Sequence, residues 1–391
     1  MRYNFDKVID RSGTSAEKVE GLKHIWGRTD LIPLWVADMD FATAPFVTDA
    51  IRKRCENEVL GYTGKPDSYY NAIINWVKQR YDLVVAKEMI NFVPGIVPGI
   101  GMAMNCFTQK GDKVMIQPPV YHPFAWVTTR NERTLVTNPL KWENGMYRMD
   151  LDAFRELIKG CKLFILCNPH NPGGVVWTEA ELRAIADICY DEKVLVFSDE
   201  IHADLTLPPH THRPFATVSE KARMNSVTFM SPSKAFNMPG LSASHALIFN
   251  EDLPKRFRIY MDAGELDMGH VFAFLSVEAA YSHGTEWLDQ CLAYIQGNID
   301  FVDDFLKNHA PKIKAIRPEA SYLVWLDFRE LKLSQKDLNE FFVDKAHLAL
   351  NDGEMFGKEG IGFMRLNVAS PRCIIEKAMK QLADAYQLYI K

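Results

Sequence analysis

Leu163-Phe164-Ile165-Leu166-Cys167-Asn168-Pro169-His170-Asn171-Pro172-Gly173-Gly174 sets an apolar run directly against a loop made of turn formers. A short apolar run bounded by breakers is the pattern of a strand buried on both faces of a sheet. The two Asn-Pro pairs that follow it impose extended backbone and a turn, which aims an Asn amide out of the strand's carboxyl end. Working outward, similar runs predict further strands at 90–93, 113–117, 134–137, 194–198, 227–231 and 245–249, beside the one at 163–167. Helical spacing of apolar residues appears between them at 151–159 and 179–190. Asp150 and Thr178 stand where N-caps belong, and Glu181 completes a Thr-x-x-Glu capping box. Strand and helix alternating over 88–250 predict βα units, hence a three-layer α/β fold around a mostly parallel, seven-stranded sheet.

After residue 250 the pattern changes to long helices at 271–282 and 287–309, a break near Pro311, a strand at 321–327, a helix at 334–346, an apolar run at 362–368 and a closing helix at 371–389. A chain of 391 residues exceeds the ~250–300 at which one core usually stops growing. The expected division is a large domain at 44–286 and a smaller α+β domain, 1–43 with 287–391, closing over the site. Residues 1–43 show no core pattern of their own and are expected to wrap against the C-terminal part.

Composition narrows the function. Apolar residues make up 47% and charged residues 24%, which excludes collagen-like, disulfide-scaffold and wholly disordered classes. Lys and Arg total 45 against 50 Asp and Glu, with no long block of one sign, so nucleic acid and anionic membrane surfaces are poor partners. No stretch approaches the ~20 apolar residues of a membrane span. Residues 1–10 lack a signal-peptide apolar run, and the seven cysteines are scattered without a Cys-x-x-Cys pair, so a cytoplasmic chain with reduced thiols is expected.

In open α/β sheets ligands bind beyond the carboxyl ends of the strands, and the loops there hold unusual residues. Val93-Pro94-Gly95-Ile96-Val97-Pro98-Gly99 leads into an apolar helix at 100–106, whose free backbone N–H groups suit a phosphate; its glycines also suit a plain strand-to-helix turn. The strand at 194–198 runs into Asp199-Glu200-Ile201-His202, a carboxylate at the tip and an imidazole beyond it. Ser231-Pro232-Ser233-Lys234-Ala235-Phe236-Asn237 follows another strand and sets a lysine among small hydroxyl residues instead of on a charged helix face. Singly, these read as a turn, a cap and a solvated surface charge.

Together with Pro33-Leu34-Trp35-Val36-Ala37-Asp38-Met39-Asp40-Phe41, Pro118-Pro119-Val120-Tyr121 and Met364-Arg365-Leu366-Asn367, these segments cover nearly the whole chain. In that order they resemble the fold-type I pyridoxal phosphate enzymes of the class I/II aminotransferase superfamily, and within it the cystathionine β-lyase or C-S lyase branch. The resemblance implies a role for each residue. Lys234 would hold the cofactor covalently and, once displaced, act as the base at Cα. Asp199 would keep the pyridine nitrogen protonated, Asn171 and His202 would reach the phenolic oxygen, and Tyr121 would stack on the ring. A tyrosine is usual in aminotransferases where this chain has His202, which favours the lyase branch. Backbone N–H groups of Ile96 and Val97 with the Ser231 hydroxyl would hold the phosphate. Tyr62, in Gly61-Tyr62-Thr63-Gly64, would reach it across a homodimer interface, giving shared active sites. Arg365 would clamp the α-carboxylate of a small amino-acid substrate with its planar fork.

The implied reaction is β-elimination on L-cystathionine or a related L-cysteine S-conjugate, giving thiol, pyruvate and ammonia. Two alternatives stand beside it. An L-amino-acid aminotransferase would use the same residues. A non-catalytic regulatory module of this fold usually carries a helix-turn-helix, for which the motif beginning at Pro33 and the negative net charge leave little case. His210-Thr211-His212 has no Cys or acidic cluster near it and is read without a metal. Tyr69, Tyr70 and Trp76 are read as core or interface packing. Residues 261–270 have no family counterpart and are read as shaping the pocket or the dimer contact.

Overall fold

Seven apolar runs pair into one sheet, described here from a computed structural model that covers residues 2–390. Its strands are β1 (Ile90–Val93), β2 (Lys113–Ile116), β3 (Thr134–Thr137), β4 (Cys161–Cys167), β5 (Leu195–Asp199), β6 (Ser226–Met230) and β7 (Ser244–Ile248), in the order β1-β7-β6-β5-β4-β2-β3. All pairings are parallel except those of β7, which runs antiparallel to both neighbours. Every residue of β6 and β7 is buried, as sheet strands covered on both faces require. The expected strands are all present with ends moved by one or two residues; Ser231 falls just beyond β6, and Asp199 is the last residue of β5.

Register sets the site. Cys167 pairs with Asp199 and Asp199 with Phe229, so the loops after β4, β5 and β6 leave the sheet at one level. The helix after β1 spans Ile96–Phe107, starting a full turn before the predicted 100–106, because Pro98 in the first turn needs no intrahelical donor. Gly99 lets that helix lie tight on the sheet: a Cβ there would stand 2.8 Å from Val93 Cγ2 and 3.2 Å from Phe229 Cε1. Asp150 accepts from the Ala153 amide at the start of Leu151–Leu157, and Thr178 with Glu181 forms the capping box of Glu179–Asp191.

A second, four-stranded antiparallel sheet comprises β8 (Lys314–Ile316), β9 (Leu323–Asp327), β10 (Asn351–Asp352) and β11 (Phe363–Asn367), in the order β8-β9-β11-β10. Helices Thr285–His309 and Arg372–Ile390 pack on each other beside it. Arg365 lies mid-strand on β11, opposite Trp325 on one side and Asn351 on the other. The helix predicted at 334–346 is α-helical over Gln335–Glu340 and ends in a π turn, Phe341–Lys345.

The N-terminal segment holds a helix, Glu17–Trp26, that the apolar pattern did not announce. Beyond it Ile32–Pro33 pairs in parallel with Leu348–Ala349, Asp40 N donates to Ala369 O, and Phe5 packs edge-on against Phe41 and Trp287. Tyr69 and Trp76 are buried against Phe274, Phe236 and Tyr281. Among the described residues, no helix is long and apolar enough to cross a membrane.

Candidate active site

A cavity of about 200 Å³ opens at the carboxyl ends of β4, β5 and β6. Ile96, Val97, Tyr121, Asn171, Asp199, His202 and Lys234 all line it, residues drawn from across 139 positions of sequence. Ile96 and Val97 are the first residues of their helix, so their N–H groups have no intrahelical acceptor, and Pro98 brings none to compete. Gly95, with φ of 115°, turns the chain there from strand to helix.

Burial governs the charges. Lys234 Nζ donates to Ala37 O at 2.6 Å, and loss of water pulls its pKa down to about 8; Arg365 pulls the same way, against Asp38 and Asp199. Asp199 Oδ1 accepts from the Ile201 amide at 3.1 Å, yet burial pushes the carboxyl up to about 7, with Glu200 adding to the rise. His202 is held neutral, its pKa lowered to about 3 by burial and then by the Lys234 and Arg365 charges. Its Nδ1 is buried without a hydrogen-bond partner. Tyr121, beside them, has its hydroxyl pKa raised by burial.

Arg365 is 3% exposed and reaches the cavity wall through Asn171, whose Oδ1 accepts Nη1 at 3.0 Å. Its Nη2 donates to Asn351 Oδ1 at 2.6 Å and Trp35 O at 3.2 Å, and the guanidinium lies 4.9 Å over the Phe356 ring. Nε is buried and unpartnered. Desolvation lowers even this cation's pKa, to about 10.

Two predicted residues stand elsewhere. The Ser231 hydroxyl donates to Ala243 O at 2.8 Å and accepts the Ser233 amide at 3.1 Å, so it is turned into the loop; Ser233, Ser242 and Ser244 are the hydroxyl residues that line the cavity. Tyr62 is 98% exposed and touches nothing of the cavity within its own chain. His212 is buried with Nε2 at 2.8 Å from Glu200 Oε2, while His210 lies 3.7 Å from Glu319, so the two imidazoles go to different partners. Among the described residues no group of His, Cys, Asp and Glu could hold a metal. In the 261–270 segment, His270 Nε2 bonds Leu241 O at 2.8 Å, beside the loop that lines the cavity.

Sequence reasoning missed Ala37 O, Tyr322, Asn351 and Cys167. Tyr322 shares Ala37 O at 2.9 Å, and the Cys167 thiol accepts the Asn171 amide at 3.3 Å.

Residues 29–382 match the family model described as aminotransferase class I and II, and the chain belongs to that family. It is 38% identical over 384 residues to cystathionine beta-lyase PatB of Bacillus subtilis (strain 168), covering 98% of this chain and 99% of PatB. Protein MalY of Escherichia coli (strain K12) is 30% identical over 387 residues, 98% of each chain. The structure of cystalysin from Treponema denticola, which contains a pyridoxal 5'-phosphate cofactor, aligns with a TM-score of 0.96 at 34% identity over 100% of both chains.

Proposed function

We propose that this protein is a pyridoxal 5'-phosphate enzyme that cleaves the Cβ–S bond of L-cystathionine or a related L-cysteine S-conjugate. With water, cystathionine would give homocysteine, pyruvate and ammonia. One observation carries the reading: a half-buried lysine amine, its pKa drawn down to about 8, shares a cavity with a buried carboxylate and a neutral histidine, in a chain kin to C-S lyases.

The residues fit that cofactor. His202 Nδ1 and Arg365 Nε are buried polar atoms without protein partners, and two helix-start N–H groups face an anion's place. Bound there, the cofactor supplies an electron sink for the carbon that gives up its proton. Ile96 and Val97 N–H groups with the Ser233 hydroxyl hold its phosphate, and Tyr121 covers its ring. Asp199 sits against the ring nitrogen, where a proton on that nitrogen favours the carboxylate and offsets the burial that raises it. With Oδ1 given to Arg365, Asn171 offers Nδ2, and neutral His202 offers a ring N–H, to the phenolic oxygen. Lys234 would anchor the cofactor, and its lowered pKa would keep a minor fraction of the free amine neutral near physiological pH, able to take the Cα proton. Arg365 turns its free donors to the substrate α-carboxylate.

The protein acts as a homodimer in which Tyr62 enters the partner's site. Support comes from the exposed run Val59, Leu60 and Tyr62, at 71%, 59% and 98%. The division into 44–286 and 1–43 with 287–391 draws support from the separate sheets and the N-terminal pairing with Leu348–Ala349. A cytoplasmic location is supported by seven cysteines, none bridged. The test is incubation of the yellow protein with cystathionine, cystine and cysteine, recording pyruvate and thiol together, with borohydride trapping on Lys234. Oxo-acid formation by amino transfer, without pyruvate and thiol, would move the reading to an aminotransferase.

A further inference from the structure

Four consecutive carbonyls, Trp35 to Asp38, are each taken by a side chain of the site or of β11. Trp35 O accepts Arg365 Nη2, and Ala37 O accepts Lys234 Nζ at 2.6 Å and the Tyr322 hydroxyl at 2.9 Å. Val36 O and Asp38 O converge on one amide, Asn367 Nδ2, at 2.7 and 2.6 Å. A lysine amine on a flexible four-carbon stem and a guanidinium from another sheet thus share one short piece of backbone.

That backbone is itself gripped by charges. Arg11 Nη2 lies 2.6 Å from Asp38 Oδ2, and Nη1 lies 3.2 Å from both Asp38 Oδ1 and Asp40 Oδ1. Lys18 Nζ donates to Asp40 Oδ2 at 2.8 Å and to Asp38 O at 3.3 Å. Lys18 is fully buried, a position that an ammonium holds only when paired. Its own carbonyl accepts the Trp35 indole N–H at 3.0 Å, so helix Glu17–Trp26 holds the segment near both ends.

We propose that residues 35–40 form a strap that holds Arg365 and takes up the Lys234 amine whenever that amine is free of the cofactor, and that Arg11 and Lys18 are positioning residues that lock it through Asp38 and Asp40. The proposal rests on the reading above for what Lys234 and Arg365 do. The charged and titratable groups facing Lys234 are Asp38 from the strap, Asp199 at the end of β5 and His202 beyond it, Cys167 at the end of β4, Tyr121, Tyr322 and Arg365. Among them Asp38 is the one whose compensation Arg11 controls. Without Arg11, Asp38 keeps only Lys18, at 3.6 Å, and a positive charge on the Lys234 nitrogen is favoured.

The test uses the cofactor-loaded protein and reads two things: amide hydrogen exchange at Met39 and Asp40, and the pH midpoint of the visible absorbance of the lysine-linked cofactor. Arg11→Met is expected to speed exchange at both amides at least about tenfold and to raise the midpoint by about one unit. Adding Asp40→Asn restores the charge balance and brings the midpoint back. Arg28→Met is the control, since Arg28 pairs with Asp30 and Asp344 and touches no strap residue; it moves neither readout. Unchanged exchange or midpoint in Arg11→Met, or an equal shift in Arg28→Met, would overturn the proposal. If Arg11→Met does not fold, Arg11→Lys keeps the charge without the fork; exchange rises while the midpoint holds, and unchanged exchange there overturns the proposal too. Neither readout needs turnover, so a protein that passes both yet releases no thiol overturns the β-elimination reading alone.

Discussion

Arg365→Lys is the substitution that most directly interrogates the substrate end of the site. Arginine has five N–H donors; here they serve Asn171 Oδ1, Asn351 Oδ1 and Trp35 O and leave Nε without a protein partner. A lysine keeps the charge but offers three donors from one point, so it cannot hold both asparagines and a carboxylate in one plane. One charge-assisted contact to the substrate is lost, about 1.5–3 kcal/mol, and one buried asparagine acceptor is stranded, about 1–3 kcal/mol. The asparagine penalty is carried by the fold with or without substrate, so only the lost contact enters kcat/KM, a fall of roughly 10- to 10²-fold. Because cystathionine, cystine and cysteine share the same α-carboxylate, the fall should be uniform across them in steady-state assays normalised to cofactor-loaded protein. A thioether amine lacking the carboxylate should inhibit wild type and variant alike. A variant that kept its overall efficiency but changed its preference among thiol leaving groups would place Arg365 in the side-chain pocket and refute the carboxylate role.

Asp199 makes a prediction about pH in the cofactor-free protein. Its folded pKa, about 7, lies above the unfolded 3.8, so the folded state binds more protons between these values and the stability Asp199 contributes is lost as pH rises through about 7. The stability difference between wild type and Asp199→Asn, from denaturant unfolding at about pH 5 and about pH 8, should therefore shrink by up to about 2.5 kcal/mol across that window; a flat or growing difference counts against the buried carboxyl. Gly99→Ala forces a methyl to 2.8 Å from Val93 Cγ2 and should cost about 1–3 kcal/mol while displacing the Ile96 and Val97 amides. Equilibrium cofactor binding should weaken along with the melting temperature, and a loss of stability at undiminished affinity would separate that helix start from the phosphate. Tyr62→Ala and Lys234→Ala are each expected to be strongly impaired, but subunit exchange between them should restore activity at sites that carry neither change. No recovery after proven exchange would return Tyr62 to its own subunit.

The parts of this protein that were legible are those written in side-chain pattern. Apolar runs bounded by Asn, Pro and Gly located the inner strands of the large sheet, because a doubly buried strand tolerates little else, and β-branched residues located the half-exposed edge strand β3. The loops after β4, β5 and β6 followed, and with them Asn171, Asp199, His202 and Lys234 in one cavity. The errors have local causes. The helix expected at 100–106 begins at Ile96, with Pro98 in its first turn. The family resemblance gives the Ser231 hydroxyl to the phosphate, but the loop folds back and Ala243 O takes its hydrogen. Helix Glu17–Trp26 escaped because only Lys18, Gly21 and Leu22 of it are buried, too few for an apolar stripe.

What pattern could not show is whatever the backbone does with its own carbonyls. Ala37 O holding Lys234, and Trp35 O holding Arg365, leave no trace in residue type, since any residue has a carbonyl. The trace lies instead in the residues that fix the backbone's direction. Asp38 and Asp40 read as ordinary acids two apart, and Lys18 as an ordinary helix lysine, until burial brings them together with Arg11 into a balanced group of four charges. A buried lysine between two carboxylates is costly to assemble and gives little net stability over a packed apolar cluster. Its effect is better sought in geometry: it fixes where four carbonyls point, and two of those carbonyls take the guanidinium and the free lysine amine on which the proposed chemistry depends.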